Sequence, residues 1–143
     1  MKKKLDNKTL DALVHAAVAV KKNSYSPYSH FKVGAAVLAP DGQIYAGTNI
    51  ENASYGLTVC AERNAMFRGV CEGQKQFVAL AVCTDPVEEG FGTPCGACRQ
   101  VMAEFMKLDA PILLVAVTKK GQIKVLKKKL KDLLPLPFLK PGE

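Results

Sequence analysis

The sequence predicts an α/β fold, a five-stranded mixed sheet with helices on both faces, in a single domain spanning residues 1–143. Three observations predict it. Helical stripes alternate along the chain with apolar runs of strand length. Asp41-Gly42 stands between two such runs, a tight-hairpin signal. The final two runs are joined by the short turn "KKGQ", which leaves no room for a crossover and makes them antiparallel.

The elements follow in order. Asp6 or Asn7 can cap a first helix, whose Leu10, Leu13, Val14, Ala17 and Val18 form one apolar stripe. "NSYSPYSH" breaks it with Pro27 in a polar loop. "FKVGAAVLAP" and "QIYAG" are the hairpin strands, and "NIENASYGLT" is a polar loop leading to a second helix that starts at Cys60. "FVALAVCT" suits a strand covered on both faces. "GFGTPCGAC" enters a third helix with a stripe at Cys98, Val101, Met102, Phe105 and Met106. "PILLVAVT" and "IKVL" are the last strands, followed by a short helix and the Pro-rich tail "LLPLPFLKPGE". In such sheets the loops at the carboxyl ends of the strands gather the ligand site.

A chain of 143 residues with 48% hydrophobic residues is long enough to close one core, and its composition is globular. No apolar run is long enough to span a membrane, and the basic start "MKKKLDNKTL" lacks the apolar stretch of a signal peptide, so the chain reads as cytoplasmic. The net charge of +7 raises the question of nucleic acid. The excess lies at Lys2, Lys3 and Lys4 and at Lys119, Lys120, Lys124, Lys127, Lys128, Lys129 and Lys131. Aromatic residues that would stack on bases are not interleaved there, so the lysines read as a solvated face.

The five cysteines are an odd number in a chain without an export signal, which argues against a disulfide framework. Cys71, on a helical pattern, and Cys83, ending an apolar run, read as small buried residues. Cys60, Cys95 and Cys98 remain. A lone cysteine is ordinarily a core residue, and a glutamate in a first helical turn, as at Glu62, ordinarily complements the helix dipole. The pattern as a whole reads otherwise. In C-x-x-C the residues i and i+3 share a helix face, and Cys60 and Cys95 each open a helix whose positive end favours a thiolate. Three convergent thiolates make a zinc site. A redox pair would leave Cys60 unexplained. A closed structural site needs a fourth ligand; His15 and His30 lie far from either motif, and a fourth thiol from Cys71 or Cys83 stays open, although neither has ligand spacing. Three ligands with an open position are the catalytic pattern. Zinc lowers the pKa of a bound water to about 7, and a carboxylate two residues from a ligand can take that proton, which makes Glu62 a general acid–base.

C-A-E at Cys60–Glu62 with P-C-G-A-C at Pro94–Cys98 is the three-cysteine form of the zinc nucleobase deaminase signature. With "YSPYSHFKVGAAVL", "NIENASYGLTVCAERNA" and "TPCGACRQVMAEF", the chain resembles over nearly its whole length the small homotetrameric cytidine deaminases of pyrimidine salvage. The resemblance implies a three-layer α/β/α fold of that family. It implies one Zn²⁺ per subunit on Cys60, Cys95 and Cys98, with Glu62 as proton shuttle. Phe31, opening the first strand, would pack on the pyrimidine. Asn49 and Glu51 would bond the ribose hydroxyls, and Ala61 would contact substrate. Arg63 would bond the thiolates, where its charge offsets the net negative charge of three thiolates on Zn²⁺. Tyr55 and Phe138 would help close active sites across subunits.

The implied reaction converts cytidine or 2′-deoxycytidine and water to the uracil nucleoside and ammonia, with Glu62 moving protons to N3 and to the leaving amine. Among relatives by resemblance, polynucleotide editors look like parallel terminal strand pairs, whereas the antiparallel end expected here is similar to the free-nucleoside enzymes. A ribose clamp also occupies the 3′-hydroxyl that a polynucleotide needs for its phosphate. Blasticidin-type deaminases share the zinc motif, but "NIENASYG" looks like cytidine deaminase. A non-enzymatic zinc module would need neither Glu62 nor ribose residues. The expected partners are a small nucleoside and copies of the chain itself, with no nucleic acid and no membrane, and the apolar tail fits self-association.

Overall fold

In the computed structural model, residues 5–88 and 90–141 are described, so Lys2, Lys3 and Lys4 lie outside the described residues. The elements are α1 (Asn7–Val20), β1 (Val33–Leu38), β2 (Ile44–Thr48), α2 (Ala61–Cys71), β3 (Ala79–Thr84), α3 (Gly96–Phe105), β4 (Pro111–Val117), β5 (Ile123–Lys129) and α4 (Leu130–Leu133). The strands form one five-stranded sheet in the order β2-β1-β3-β4-β5. β3 and β4 are parallel, and the pairs β1–β2, β1–β3 and β4–β5 are antiparallel. The mixed sheet and its antiparallel end agree with the sequence reading.

The alternation of strand side chains sorts the helices into two outer layers. Ala36, Leu38, Ala81, Cys83, Leu113 and Val115 point to one face, where Leu13, Val14 and Ala17 of α1 cover them. Ala35, Val37, Leu80, Val82, Ile112 and Leu114 point to the other face, against Ala65 and Met66 of α2, Met102 of α3 and Leu130 of α4. β1 and β3 are buried throughout, as strands covered on both faces must be.

Local chemistry sets the boundaries. The Asp6 carboxylate accepts from Thr9 N at 2.9 Å and caps α1. Gly42, at φ +92°, turns the first hairpin in the left-handed region. Gly47 lets α2 lie against β2, because a Cβ there would be 2.5 Å from the Ala65 nitrogen. β5 runs further than "IKVL", to Lys129, as an exposed edge strand, and lysines on such an edge discourage pairing with another chain. Two expectations need correction. Cys71 is exposed, because it lies on the face of α2 opposite the buried stripe of Ala61, Glu62, Ala65, Met66 and Gly69. Phe31 does not open β1, which starts at Val33. The Asn49 side chain takes the ladder positions there, donating to Phe31 O at 2.8 Å and accepting from Val33 N at 3.0 Å.

Candidate active site

The site lies where β3 ends, β1 begins and both α2 and α3 start. Val33 and Thr84 are partners in the sheet at that end. Cys60 is the N-cap of α2 and Cys95 the N-cap of α3, and neither makes a side-chain capping bond. The first turns of both helices therefore present unpaired N–H groups and a positive dipole end to the sulfurs. Cys98, one turn into α3, is buried behind them.

The three Sγ atoms lie within 4.8 Å of one another and form the one cluster of potential metal donors among the described residues. Cys60 Sγ and Cys95 Sγ are 3.8 Å apart. Two thiolates on a tetrahedral ion with bonds of about 2.3 Å would be separated by about that distance, so the donor set fits zinc in type and spacing. Arg63 braces it from behind, donating from Nη2 to Cys60 Sγ at 3.3 Å and from Nε to Cys98 Sγ at 3.4 Å. These bonds also hold the guanidinium firmly charged. A hydrogen bond from the Cys98 thiol, aided by Arg63, draws the Cys60 thiol down to about 5. Cys98 is correspondingly pushed up, because it is the donor in that pair and is buried.

Glu62 follows in the first turn of α2. Its side chain is nearly inaccessible, the residue being 4% exposed, and burial pushes the carboxyl up to about 7, with the Cys60 thiolate adding to the effect. That value suits a group asked to gain and lose a proton near neutrality.

These residues face a cavity of about 250 Å³. Of the residues named from sequence, Phe31, Asn49, Cys60, Ala61, Glu62 and Cys95 line it. Cys98 and Arg63 lie behind the sulfurs. Glu51 is outside the lining but adjoins it, accepting from Tyr28 N at 3.0 Å and Ser29 N at 3.1 Å through Oε1. The Ser29 hydroxyl donates to its other oxygen, and these bonds, that of Ser29 first, hold the carboxyl below its ordinary range. Asn49 and Glu51 thus reach the same loop, as their two-residue spacing on an extended segment requires. Tyr55 is 74% exposed, with its ring edge-on to Tyr28 at 5.8 Å. Phe138 is 76% exposed, and its backbone is clamped by Gln100 through bonds of 2.7 and 3.1 Å. Within one chain, neither ring reaches the cavity lining.

Val33, Thr58, Val82, Thr84, Gly92 and Thr93 complete the wall and were not singled out from sequence. Thr84 was within reach, since it ends β3 and site residues gather at carboxyl ends. Gly92 packs so closely on it that a Cβ would be 2.5 Å from Thr84 Oγ1. Arg99 was also missed. It donates to Pro94 O and to Leu133 O, each at 2.7 Å, tying the turn before Cys95 to α4. A larger cavity, about 420 Å³, opens at the opposite end of the sheet among Phe77, Phe105, Met106 and Pro111, away from the thiols.

Comparison with known proteins agrees with this geometry. The sequence model of the cytidine and deoxycytidylate deaminase zinc-binding region matches residues 7–113. A cytidine deaminase of Halalkalibacterium halodurans is 50% identical over 105 residues, covering 71% of this chain and 76% of the relative. One from Sporosarcina psychrophila is 48% identical over 114 residues, covering 80% and 81% respectively. The crystal structure of cytidine deaminase from Burkholderia pseudomallei superposes with a TM-score of 0.78 at 44% identity, covering 90% of this chain and 98% of that one. By sequence and by fold, the chain belongs to the cytidine and deoxycytidylate deaminase family.

Proposed function

We propose that this protein hydrolyses the C4 amino group of free cytidine and 2′-deoxycytidine, giving uridine or 2′-deoxyuridine and ammonia, as a step of pyrimidine salvage. The observation that carries the proposal is a buried carboxyl of raised pKa beside three convergent thiols, facing a cavity bounded by an aromatic ring and an amide.

Cys60, Cys95 and Cys98 would hold one Zn²⁺ per subunit, and zinc, when bound, supplies the Lewis acidity that makes water nucleophilic near neutral pH. The remaining work belongs to the chain. Glu62 accepts a proton from the attacking water and delivers it to N3 of the ring, then takes that water's second proton from the oxygen now on C4 and passes it to the amino group as it leaves. Burial keeps its carboxyl near pKa 7, so both directions of transfer are within reach. Arg63 balances the thiolate charge. Phe31 packs on the pyrimidine, and Ala61 presents the unpaired backbone of a helix start to it.

Asn49 has spent its oxygen on Val33 N and Ser24 Oγ and one amide hydrogen on Phe31 O, which leaves one N–H for a ribose hydroxyl. Glu51 retains an acceptor position on Oε2 for the other. The antiparallel β4–β5 pair supports a free nucleoside over a polynucleotide. Exposure of Tyr55, Leu136 and Phe138, the last two on an apolar tail, supports a homotetramer in which neighbouring subunits complete each site.

The test is the ultraviolet absorbance of each nucleoside incubated with zinc-loaded protein, with ammonia followed alongside. Loss of the cytosine band with equimolar ammonia is expected. An unchanged spectrum over zinc-loaded protein overturns the proposal. Light scattering at micromolar concentration checks the tetramer, and a monomer refutes it.

A further inference from the structure

The loop 24–31 contains a connection that neither the thiol cluster nor the individual substrate contacts explain. A serine hydroxyl has one hydrogen to donate and lone pairs to accept with. Ser29 uses both, donating from Oγ to Glu51 Oε2 and accepting from Phe31 N at 3.0 Å. The carbonyl of Phe31 is in turn held by Asn49 Nδ2 at 2.8 Å. Both backbone groups of Phe31 are therefore fastened to the proposed ribose-binding side chains, one directly and one through Ser29. Between them His30 occupies the left-handed region at φ +59°, a conformation that a non-glycine residue keeps where its surroundings impose it. Its own N–H donates to Ser26 O at 3.0 Å, which closes the turn.

We propose that Ser29 is a positioning residue that couples ribose recognition to placement of the pyrimidine ring, by holding the Glu51 carboxylate and the Phe31 backbone in one register. The inference rests on the assignment of Phe31 and Glu51 as substrate contacts and extends it. A nucleoside that engages Glu51 stiffens the same hydroxyl that locates Phe31, so the sugar helps to place the base. An analogue without the sugar hydroxyls forgoes that help and feels the loss of Ser29 less, through the Phe31 N–H alone. Ser29 is exposed, so its truncation leaves the core intact.

The experiment compares Ser29→Ala, Ser29→Thr, Glu51→Ala and the double variant Ser29→Ala/Glu51→Ala in the zinc-loaded protein. The substrates are cytidine and 2′,3′-dideoxycytidine. Ser29→Ala is expected to raise KM for cytidine about tenfold with kcat within about twofold, the size of effect given by one hydrogen bond to a charged group. Ser29→Thr restores KM, KM for the dideoxy analogue changes less, and the double variant is no worse than Glu51→Ala. Additive losses, equal losses on both substrates, or no rescue by Thr would overturn the coupling. A second readout needs no turnover: a carbon-13 titration of the Glu51 carboxyl, with the Phe31 amide resonance recorded in parallel. In Ser29→Ala the carboxyl should titrate higher and the amide resonance should move. If both stay as in the parent protein, Ser29 does not link them. A parent protein inert on cytidine would count against the proposed function, while the titration still decides the coupling.

Discussion

The two sides of the cavity are built by different means. On the α2–α3 side, Cys60 and Cys95 are N-caps, and Glu62 and Cys98 follow within a turn. Helical backbone bonds place these groups, and the side-chain bonds of Arg63 are added to a frame that already exists. On the opposite side, Phe31 and Asn49 belong to segments outside the helices and strands. Asn49 is held by backbone bonds with Val33 O and Tyr25 N and by side-chain bonds spanning 16 to 25 residues of sequence, and Phe31 hangs on the Asn49 amide and the Ser29 hydroxyl. The first side is rigid because its elements are rigid. The second is rigid only while each of its bonds is kept. Substitutions should therefore separate into those that remove chemistry without disturbing shape and those that disturb shape first.

The largest expected effect comes from taking a proposed zinc ligand out of the rigid side. Cys98→Ala should release zinc and reduce turnover to background, while the far-ultraviolet circular dichroism of the protein stays as in the parent. Metal content by plasma mass spectrometry measures the first, and zinc retained at parental stoichiometry would remove Cys98 from the ligand set. Glu62→Gln comes next. It preserves shape and removes the proposed proton carrier, so kcat should fall by about 10²–10⁴ with zinc content unchanged. Zinc-loaded Glu62→Gln of normal activity would transfer the acid–base role elsewhere.

The same division explains what could be read from sequence. A helix converts spacing into geometry, so C-x-x-C and C-x-E foretell a cluster and a neighbouring carboxylate before any tertiary contact is known. The five strands, the first hairpin and the antiparallel end were legible for a similar reason, since apolar runs and short turns are local signals, whereas the β1–β3 and β3–β4 pairings join distant segments and carry none. Convergence of Cys60 with Cys95 is not local; it was inferred from both thiols opening helices and is implied as well by the family resemblance, while spacing alone does not give it. The wall of Phe31, Asn49 and Glu51 was legible as a set of residue types and opaque as a structure. Nothing in "NIEN" shows that the Asn49 side chain replaces a strand at Val33, and so Phe31 was assigned to β1 two residues too early. Cys71 failed differently. It lies in the helix as expected, but off the buried stripe of Ala61, Glu62, Ala65, Met66 and Gly69, on the solvent face. Phe138 and Tyr55 are exposed within one chain, and their proposed contacts lie in another subunit.

Arg63 tests whether the rigid side depends on its side-chain bonds at all. Arg63→Gln removes two charge-assisted donors from the sulfurs but none of the helical bonds. Zinc affinity should weaken by about 10–100-fold, the usual effect of losing an outer-shell partner. Competition with a chromogenic chelator measures it. Thermal stability of the metal-stripped protein should hardly change, and a large loss there would show that the thiol corner is held together by Arg63 and not by the helices that carry it.

Asn49→Ala is the complementary experiment and carries the smallest expected effect on catalysis. Asn49 is buried, and its removal strips partners from Val33 N and Phe31 O together. Buried groups left unpaired cost about 1–3 kcal/mol. In a chain of this size that is about 2–4 °C of melting temperature per kcal/mol. The metal should stay, because nothing in the thiol cluster leans on Asn49. KM should rise, through the lost N–H to the sugar and through a loosened Phe31, while kcat falls less, since Glu62 and the sulfurs keep their places. The contrast with Arg63→Gln is the point of the pair: one weakens metal binding at constant fold stability, the other weakens the fold at constant metal binding. If Asn49→Ala instead released zinc as readily as Arg63→Gln, the two walls would be one cooperative unit, and the independence inferred from their bonding would fail.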